Sequence, residues 1–137
     1  MDKVFVDSDI TLDLLSYREP FYLPAANLFS LADKNEIRLF VSSLSFANLN
    51  YILSKQFSAE QAKKKLLKFK TLVTVLSVDD KIVELALASD FRDFEDALQY
   101  FTATENNIKI LLTRNLRDYK HADISVLTAE QYLKGKK

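Results

Sequence analysis

Several residue types are scarce or missing in this 137-residue chain, and each absence narrows what the protein can be. There is no cysteine, so neither disulfides nor thiolate metal sites contribute to the fold, and a reducing compartment suits the chain. The one glycine, Gly135, leaves no glycine-rich loop to cradle nucleotide phosphates. The one histidine, His121, lies in a polar stretch and is expected at the surface, so we do not expect zinc chemistry.

Long apolar runs are also missing. No uncharged apolar segment approaches the roughly 20 residues that a membrane-spanning helix requires. The N-terminal stretch turns acidic at Asp7 without the apolar segment that is typical of a signal peptide. We therefore expect a cytoplasmic protein with no membrane partner.

The chain has no excess of positive or negative residues. Lys+Arg and Asp+Glu each number 19, so net charge gives no support for strong non-specific binding to nucleic acid. The distribution is uneven, because residues 62–70 (AKKKLLKFK) are basic and residues 90–96 are acidic. A solvated helix face is the usual meaning of such lysines. The alternative is that Lys63 and Lys64 contact an RNA backbone.

Apolar residues make up 48% of the chain, which is enough to build the core of a single domain over residues 1–137. Short apolar runs alternate along the chain with segments of helical periodicity. This alternation predicts a three-layer α/β/α domain with a mostly parallel five-stranded sheet. The predicted strands are residues 4–6, 37–43, 72–78, 108–113 and 124–128.

Polar side chains follow the predicted strands, where open sheets of this kind bind their ligands. Carboxylates that converge on one point repel each other unless a cation holds them, and hard oxygen ligands select Mg²⁺ or Mn²⁺. The polar residues at the four strand ends are Asp7 and Asp9, then Ser42 and Ser43, then Asp79 and Asp80, then Thr113, Arg114, Asn115 and Asp118.

The segment DFRDFEDALQYF (residues 90–101) starts a predicted helix with four acids. One interpretation is that the acids simply favour the helix N-terminus. The other is that they bind a cation. We favour Asp96 as a metal ligand and Asp93 as the helix cap or an auxiliary residue, with Glu95 diverging from both.

The same helix is expected to bury one stripe of side chains at i, i+3, i+4 and i+7. Tyr100 is expected on a different face, together with Asp93 and Asp96. The predicted core stripe consists of Phe94, Ala97, Leu98 and Phe101.

Four segments together resemble a known family in order and spacing: VFVDSDITLDLL, VSSLSFANLNYIL, DFEDALQYFTA and ILLTRNLRDY. The resemblance is to the PIN domain, and closest to the branch with DFEDA and TRN motifs among the VapC-type toxins. It covers essentially the whole chain. It implies an endoribonuclease that depends on Mg²⁺ or Mn²⁺ and acts on RNA. It also raises a role as the toxin of a toxin–antitoxin pair with a cognate antitoxin as partner, and it leaves a homodimer open.

The resemblance also implies roles for individual residues. Asp7, Asp96 and Asp118 would be the metal ligands and catalytic acids, with Asn115 as a neutral catalytic residue beside them. Thr113 would orient the site through its hydroxyl. The auxiliary and RNA-contacting residues would be Ser43, Asp93, Asn48 and Arg114.

Asn48 marks a departure from the family, which usually has an acid, commonly Glu, at this position in the helix after the second strand. Asn48 also interrupts an apolar stripe formed by Leu44, Tyr51 and Ile52, so its amide needs a hydrogen-bond partner. A core amide and a site residue are both open interpretations. If the acidic cluster is depleted here, the alternative function is a catalytically impaired PIN-like protein that binds RNA or a partner.

A second alternative is a haloacid-dehalogenase-like phosphatase. DSDIT (residues 7–11) satisfies the Asp-x-Asp-x-Thr motif of that class, with Asp7 as nucleophile and Asp9 as acid/base. Asp79 and Asp80 would stand for its terminal acid pair. This interpretation leaves the DFEDA and TRN segments unexplained.

Overall fold

The computed structural model describes residues 1–120 and 122–136, and these form a five-stranded sheet with helices packed on both faces. The strands, β1 to β5 in chain order, are Lys3–Val6, Arg38–Ser42, Val73–Leu76, Ile110–Leu112 and Ser125–Leu127. The helices, α1 to α7, are Ser8–Leu15, Tyr22–Asp33, Ser43–Gln56, Ala59–Lys70, Asp80–Leu87, Phe94–Glu105 and Ala129–Gly135. A short 3-10 turn, Leu116–Tyr119, follows β4.

The sheet is parallel throughout, in the order β3-β2-β1-β4-β5. The chain first builds from β1 through β2 to β3, and then returns to add β4 and β5 on the other side of β1. The neighbours β1 and β4 flank the point where this direction changes, with Val6 opposite Leu112. Ligands of open α/β sheets bind in the crevice at such a point. The predicted three-layer fold is confirmed.

Alternating side chains of the strands fill two separate cores, because successive residues of a strand face opposite sides of the sheet. Val4 and Val6 contact the core beneath α1, α2, α3, α4 and α7. Phe5, between them, faces the other side, where it packs with Tyr100 of α6 and Tyr119. Each fully buried aliphatic or aromatic side chain contributes roughly 1.5–3 kcal/mol, so both layers are held mainly by apolar burial.

Within the described residues, six of the seven helices start on a polar residue that caps the first turn, and the exception is α2. Asp7 caps α1, Ser42 caps α3, Asp79 caps α5 and Asp93 caps α6, each by accepting a backbone N–H of the first turn. The predicted cap of α4, Ser58, is confirmed. Because strand ends and helix starts coincide, these polar groups cluster at one edge of the sheet.

The predicted core stripe of α6 is partly wrong. Ala97 and Leu98 are buried as expected, but Phe94 is 45% exposed. Tyr100, expected elsewhere, is buried at 7% exposure together with Gln99. The helix is covered by the sheet on one side and by α5 on another, so its buried face is wider than a single stripe and is displaced from Phe94.

Two further expectations concern the surface. No helix within residues 1–120 and 122–136 is long and apolar enough to cross a membrane. His121, expected at the surface, lies outside the described residues.

We expect Phe69→Ala to lower the free energy of unfolding by about 3–5 kcal/mol, because it leaves a cavity between α4 and its neighbours. Phe69 is 2% exposed and its ring contacts Phe29 at 5.4 Å and Phe46 at 5.9 Å between centroids. Urea titration measures the change. The control is Leu67→Ala, at a side chain that is 72% exposed, which should change the free energy by less than about 0.5 kcal/mol. Equal effects of the two substitutions would contradict this packing.

Candidate functional site

A cavity of about 490 Å³ opens at the carboxyl ends of β1 and β4, where the direction of chain addition changes. Residues from the start of α1, from α3, from the start of α6 and from the turn after β4 line it. Its most distinctive feature is negative charge. The carboxylates in its lining are Asp7, Asp9, Asp93, Glu95, Asp96 and Asp118.

Asp7 is the most buried of these acids, at 7% exposure. Its Oδ1 accepts the Ser8 backbone N–H at 2.8 Å, and its Oδ2 accepts the hydroxyls of Thr113 at 2.9 Å and Tyr119 at 3.3 Å. Burial, and secondarily the charge of Asp9, raise the pKa of Asp7 to about 6, while the hydrogen bonds oppose the shift. The carboxylate is thus held in place but destabilised in its charged form.

Asp96 lies in the first turn of α6 and is half-buried. Burial first, and then the charges of Asp7, Asp93 and Asp118, raise the pKa of Asp96 to about 7. Asp118, on the turn after β4, lines the same cavity as Asp7 and Asp96. The three acids that the sequence nominated as ligands are therefore neighbours in space.

Tyr119 connects two of these acids and was not anticipated from the sequence. Its hydroxyl lies 3.3 Å from Asp7 Oδ2 and 3.5 Å from Asp96 Oδ1, so the two carboxylate oxygens can be no further apart than the sum of those distances. Its ring packs against Phe91 at 5.8 Å between centroids, which orients it. Burial and the nearby Asp7 raise the pKa of Tyr119 far above its usual range, so it remains a neutral donor.

Thr113 and Asp9 bind the turn after β4 to the start of α1. The Thr113 hydroxyl also lies 3.3 Å from Asp9 Oδ2, and the same Asp9 oxygen accepts the Arg114 backbone N–H at 2.9 Å. The Asn115 backbone N–H donates to Thr113 Oγ1 at 3.1 Å. Thr113 therefore orients both Asp7 and the segment that brings Asn115 into the cavity lining.

The donor set suits a hard divalent cation. Six carboxylates line the cavity, and Asn48 and Asn115 add neutral amide oxygens. Asp9 Oδ1 is a buried oxygen without a hydrogen-bond partner in the described part of the chain, as expected of an atom that a cation would satisfy. As the side chains stand in residues 1–120 and 122–136, no three acids surround one point at ligand distance. Binding an ion would therefore require small side-chain adjustments around Asp7 and Asp96.

A buried polar network beneath the cavity was also missed from the sequence. Gln99 of α6 accepts the Ser42 hydroxyl at 2.6 Å through Oε1 and donates to Ser45 Oγ at 2.9 Å through Nε2. The Ser8 hydroxyl donates to Ser45 Oγ at 3.0 Å. These contacts join α1, α3 and α6, the three helices that carry site residues. The only sequence signal was the presence of Gln99 one turn after Asp96.

Ser43, predicted as an auxiliary site residue, does not line the cavity. It is exposed, and its hydroxyl accepts the Val78 backbone N–H at 3.3 Å, away from the cavity lining. Its neighbour Ser42 is the buried residue, because the helix starts there and turns the Ser42 side chain inward as the cap.

Asn48 and Glu95 form a contact between α3 and α6. Asn48 is half-buried, and its Nδ2 donates to Glu95 Oε1 at 2.8 Å. Both residues line the cavity. The expectation that Glu95 diverges from Asp93 and Asp96 was wrong, because the start of α6 lies in the crevice and presents several of its first-turn side chains to it. Asp93 caps the helix as predicted, accepting the Asp96 backbone N–H at 3.1 Å.

The predicted RNA-contacting residues lie apart from the acids. The Arg114 guanidinium forms a bidentate ion pair with Asp13, Nε to Oδ2 at 2.9 Å and Nη2 to Oδ1 at 3.1 Å, and it covers the Phe21 ring at 4.1 Å. Lys63 lies in a shallow groove between α3 and α4, and Lys64 pairs with Glu60 at 3.5 Å. Neither lysine is part of the cavity lining.

The phosphatase interpretation loses its terminal acid pair. Asp79 caps α5 by accepting the Ile82 backbone N–H at 3.0 Å, and neither Asp79 nor Asp80 lines the cavity. The reason is topological, since β3 is the edge strand and lies two strands away from β1.

We expect Asp96→Asn to stabilise the metal-free protein at pH 8 by about 1–2 kcal/mol, after allowance for solvent screening at a half-buried site. The raised pKa of Asp96, about 7, means that the folded state holds its proton more tightly than the unfolded chain does. Wild-type stability should therefore fall as pH rises from about 4 to about 7, and the variant should flatten this fall. Thermal unfolding in chelator at several pH values measures both effects. Asp90→Asn, at an exposed site, is the control, and matching profiles for all three proteins would contradict the assignment.

We expect Arg114→Ala to lower the free energy of unfolding by about 3–5 kcal/mol, because it leaves the Asp13 carboxylate buried without its partner. The Asp13 side chain is 2% exposed, and burial already raises its pKa. Urea titration compares this variant with Lys64→Ala, which breaks an exposed pair and should change stability by less than about 1 kcal/mol. A small effect of Arg114→Ala would contradict a structural role for the Asp13 pair and leave the predicted RNA contact as the function of Arg114.

Comparison with known proteins agrees with the resemblance found in the sequence. A family model described as the PIN domain matches residues 3–117. Ribonuclease VapC1 of Aquifex aeolicus (strain VF5) is 30% identical over 139 residues, which covers 96% of this chain and 93% of that protein.

Solved structures share the fold at lower identity. VapBC2 from Rickettsia felis, bound to a DNA fragment from the promoter, matches with a TM-score of 0.68 at 21% identity, over 91% of this chain and 96% of that one. VapC20 of Mycobacterium tuberculosis, a toxin that cleaves the sarcin-ricin loop, matches with a TM-score of 0.63 at 18% identity, over 79% of this chain and 86% of that one. From the family model and the curated relative, this chain belongs to the PIN domain family.

Proposed function

We propose that this protein is a metal-dependent endoribonuclease of the PIN type and the toxin of a toxin–antitoxin pair. The observation that carries the proposal is the meeting of Asp7, Asp96 and Asp118 in one cavity at the carboxyl ends of β1 and β4. Relatives support the class of reaction, since Aquifex aeolicus VapC1 is named a ribonuclease.

Asp7, Asp96 and Asp118 would hold the ion, with Asn115 as a neutral oxygen ligand or a donor to the scissile phosphate. Mg²⁺ and Mn²⁺ are the ions that an all-oxygen donor set favours. When bound, the ion would neutralise the carboxylates, polarise a phosphate oxygen and lower the pKa of a bound water.

The residues around the ligands position them. Thr113 and Tyr119 donate to Asp7 Oδ2, and Tyr119 also reaches Asp96 Oδ1, so these hydroxyls hold two of the proposed ligands near each other. Because burial raises the pKa of Asp7 to about 6 and that of Asp96 to about 7, cation binding at neutral pH would release bound protons as well as relieve repulsion.

The proposed partners are an RNA substrate and a protein antitoxin, with the cytoplasm as the compartment. The structural relatives from Rickettsia felis and Salmonella typhimurium are VapBC complexes bound to DNA, and a relative from Klebsiella pneumoniae is a toxin–antitoxin complex. A homodimer is compatible with the proposal. Lys63 and Lys64 would serve RNA only along a path outside the cavity, on the α3–α4 face.

A second candidate is a PIN protein that binds RNA without cutting it. The observation in its favour is Asn48, which puts a neutral amide where the family usually has an acid. The two candidates differ in whether phosphodiester bonds break, so one experiment separates them.

We expect the purified protein to cleave single-stranded RNA in Mn²⁺ or Mg²⁺ and to stop in chelator. Asp7→Asn, Asp96→Asn and Asp118→Asn should each lower the cleavage rate by at least about 100-fold, because each removes a charge that the ion needs. Asp90→Asn, in the same acidic segment but outside the cavity lining, should retain the wild-type rate. Gel analysis of a labelled RNA measures the rate.

RNA binding by filter retention is followed in parallel with cleavage. Metal-independent binding without cleavage would favour the non-cutting candidate. Rapid hydrolysis of small phosphomonoesters with no action on RNA would contradict both candidates and restore the phosphatase interpretation.

A further inference from the structure

Asn48 occupies the position on the helix after β2 where the family normally has an acid. Its amide forms a hydrogen bond in the cavity. Its Nδ2 donates to Glu95 Oε1 at 2.8 Å, across a sequence separation of 47 residues. Both side chains line the same cavity as Asp7 and Asp96. The place of the missing charge on α3 is thus in direct contact with a carboxylate from α6.

The surrounding structure fixes where Glu95 can be. Asp93 caps α6 and sets the start of the helix, with its Oδ1 3.1 Å from the Asp96 backbone N. One turn further on, Gln99 attaches α6 to α3 through buried hydrogen bonds to Ser42 and Ser45. Glu95 lies between these two attachments, and its hydrogen bond with Asn48 orients its exposed side chain along the cavity.

Glu95 also lacks the partner that would explain an ordinary surface acid. No lysine or arginine in residues 1–120 and 122–136 forms an ion pair with it, although the chain has five such pairs in that part of its structure. Its hydrogen-bond partner is the neutral Asn48, and five other acids line the same cavity. A carboxylate placed against other carboxylates is unfavourable unless a cation joins them.

We infer that Glu95 is an additional acid of the metal site, supplying from α6 the carboxylate that the family places on α3, with Asn48 holding it in position. This inference rests on the proposed nuclease function. Asn48 donates to one oxygen of Glu95, and a carboxylate has further lone pairs on both oxygens with which to bind an ion. An acid at position 48 would instead repel Glu95, so the amide at this position and the acid in DFEDA belong together.

The inference can be tested by removing the negative charge at Glu95 and restoring one at position 48. Mn²⁺ affinity is measured by isothermal titration calorimetry, and the Mn²⁺-dependent rise in melting temperature serves as an independent readout. Glu95→Gln should weaken Mn²⁺ binding about tenfold, which corresponds to about 1.4 kcal/mol. The double variant Asn48→Glu/Glu95→Gln should return the affinity to within about threefold of wild type, because the charge is restored on α3.

Two single variants serve as controls. Asp90→Asn removes one negative charge from the same exposed segment without touching the cavity, and it should leave Mn²⁺ affinity unchanged. Asn48→Glu alone should lower the melting temperature in chelator, since it adds a carboxylate beside Glu95. Circular dichroism verifies the fold of every variant, and the exposed position of Glu95 makes its replacement compatible with folding.

The results separate this inference from the proposed function. If Glu95→Gln binds Mn²⁺ like wild type while Asp96→Asn does not bind it, Glu95 is not a ligand and the nuclease proposal stands. If the folded double variant binds as weakly as Glu95→Gln, the exchange between α6 and α3 is overturned. If wild-type protein and Asp96→Asn bind Mn²⁺ equally weakly, the metal site and this inference fail together.

Discussion

The acids at the carboxyl ends of β1 and β4 repel each other, and the neighbouring residues must stabilise them for the fold to form. Burial raises the pKa of both Asp7 and Asp96, and the charge of Asp9 adds to the rise at Asp7 while the charge of Asp7 adds to that at Asp96. Hydroxyls and backbone N–H groups stabilise the cluster. Within residues 1–120 and 122–136, neither Asp7 nor Asp96 forms an ion pair. A cluster held by neutral donors keeps its negative charge, and that charge is what a divalent cation would bind.

The Arg114 side chain, just after β4, forms its ion pair with an acid outside the cavity lining. Arg114 directly follows Thr113, but its guanidinium pairs with the buried Asp13 of α1 and covers Phe21. Its backbone N–H donates to Asp9, and its charge opposes the rise in the pKa of Asp9 that burial causes. The arrangement attaches the turn after β4 to α1 and α2, and the ion pair that Arg114 forms is with Asp13 rather than with Asp7 or Asp96.

The helices that carry the acids are joined below the cavity by uncharged polar groups. Gln99 contacts Ser42 and Ser45 in a buried network, and Asn48 contacts Glu95 nearer the surface. Neutral hydrogen bonds are suited to this place, because they fix the spacing of α3 and α6 without adding to the charge of the site. If Glu95 is a metal ligand as inferred, the acid that α3 lacks is replaced by an acid on α6.

The sequence by itself determined the layers, the parallel sheet and the strand ends at which the acids occur. These follow from period, burial and topology rules that act locally along the chain. The family resemblance predicted that Asp7, Asp96 and Asp118 belong to one site, because the motifs that contain them occur in the order and spacing of the family.

Only the tertiary structure showed which residues contact and support the site. Tyr119, Gln99 and Asp13 act through contacts with residues 54 to 112 positions away, and no local pattern encodes such pairs. The periodicity of α6 misplaced Phe94 and Tyr100 for the same reason, since which face of a helix is buried depends on what packs against it. The partnership of Asn48 with Glu95 likewise required α3 and α6 to be placed side by side, which the sequence does not encode at either position alone.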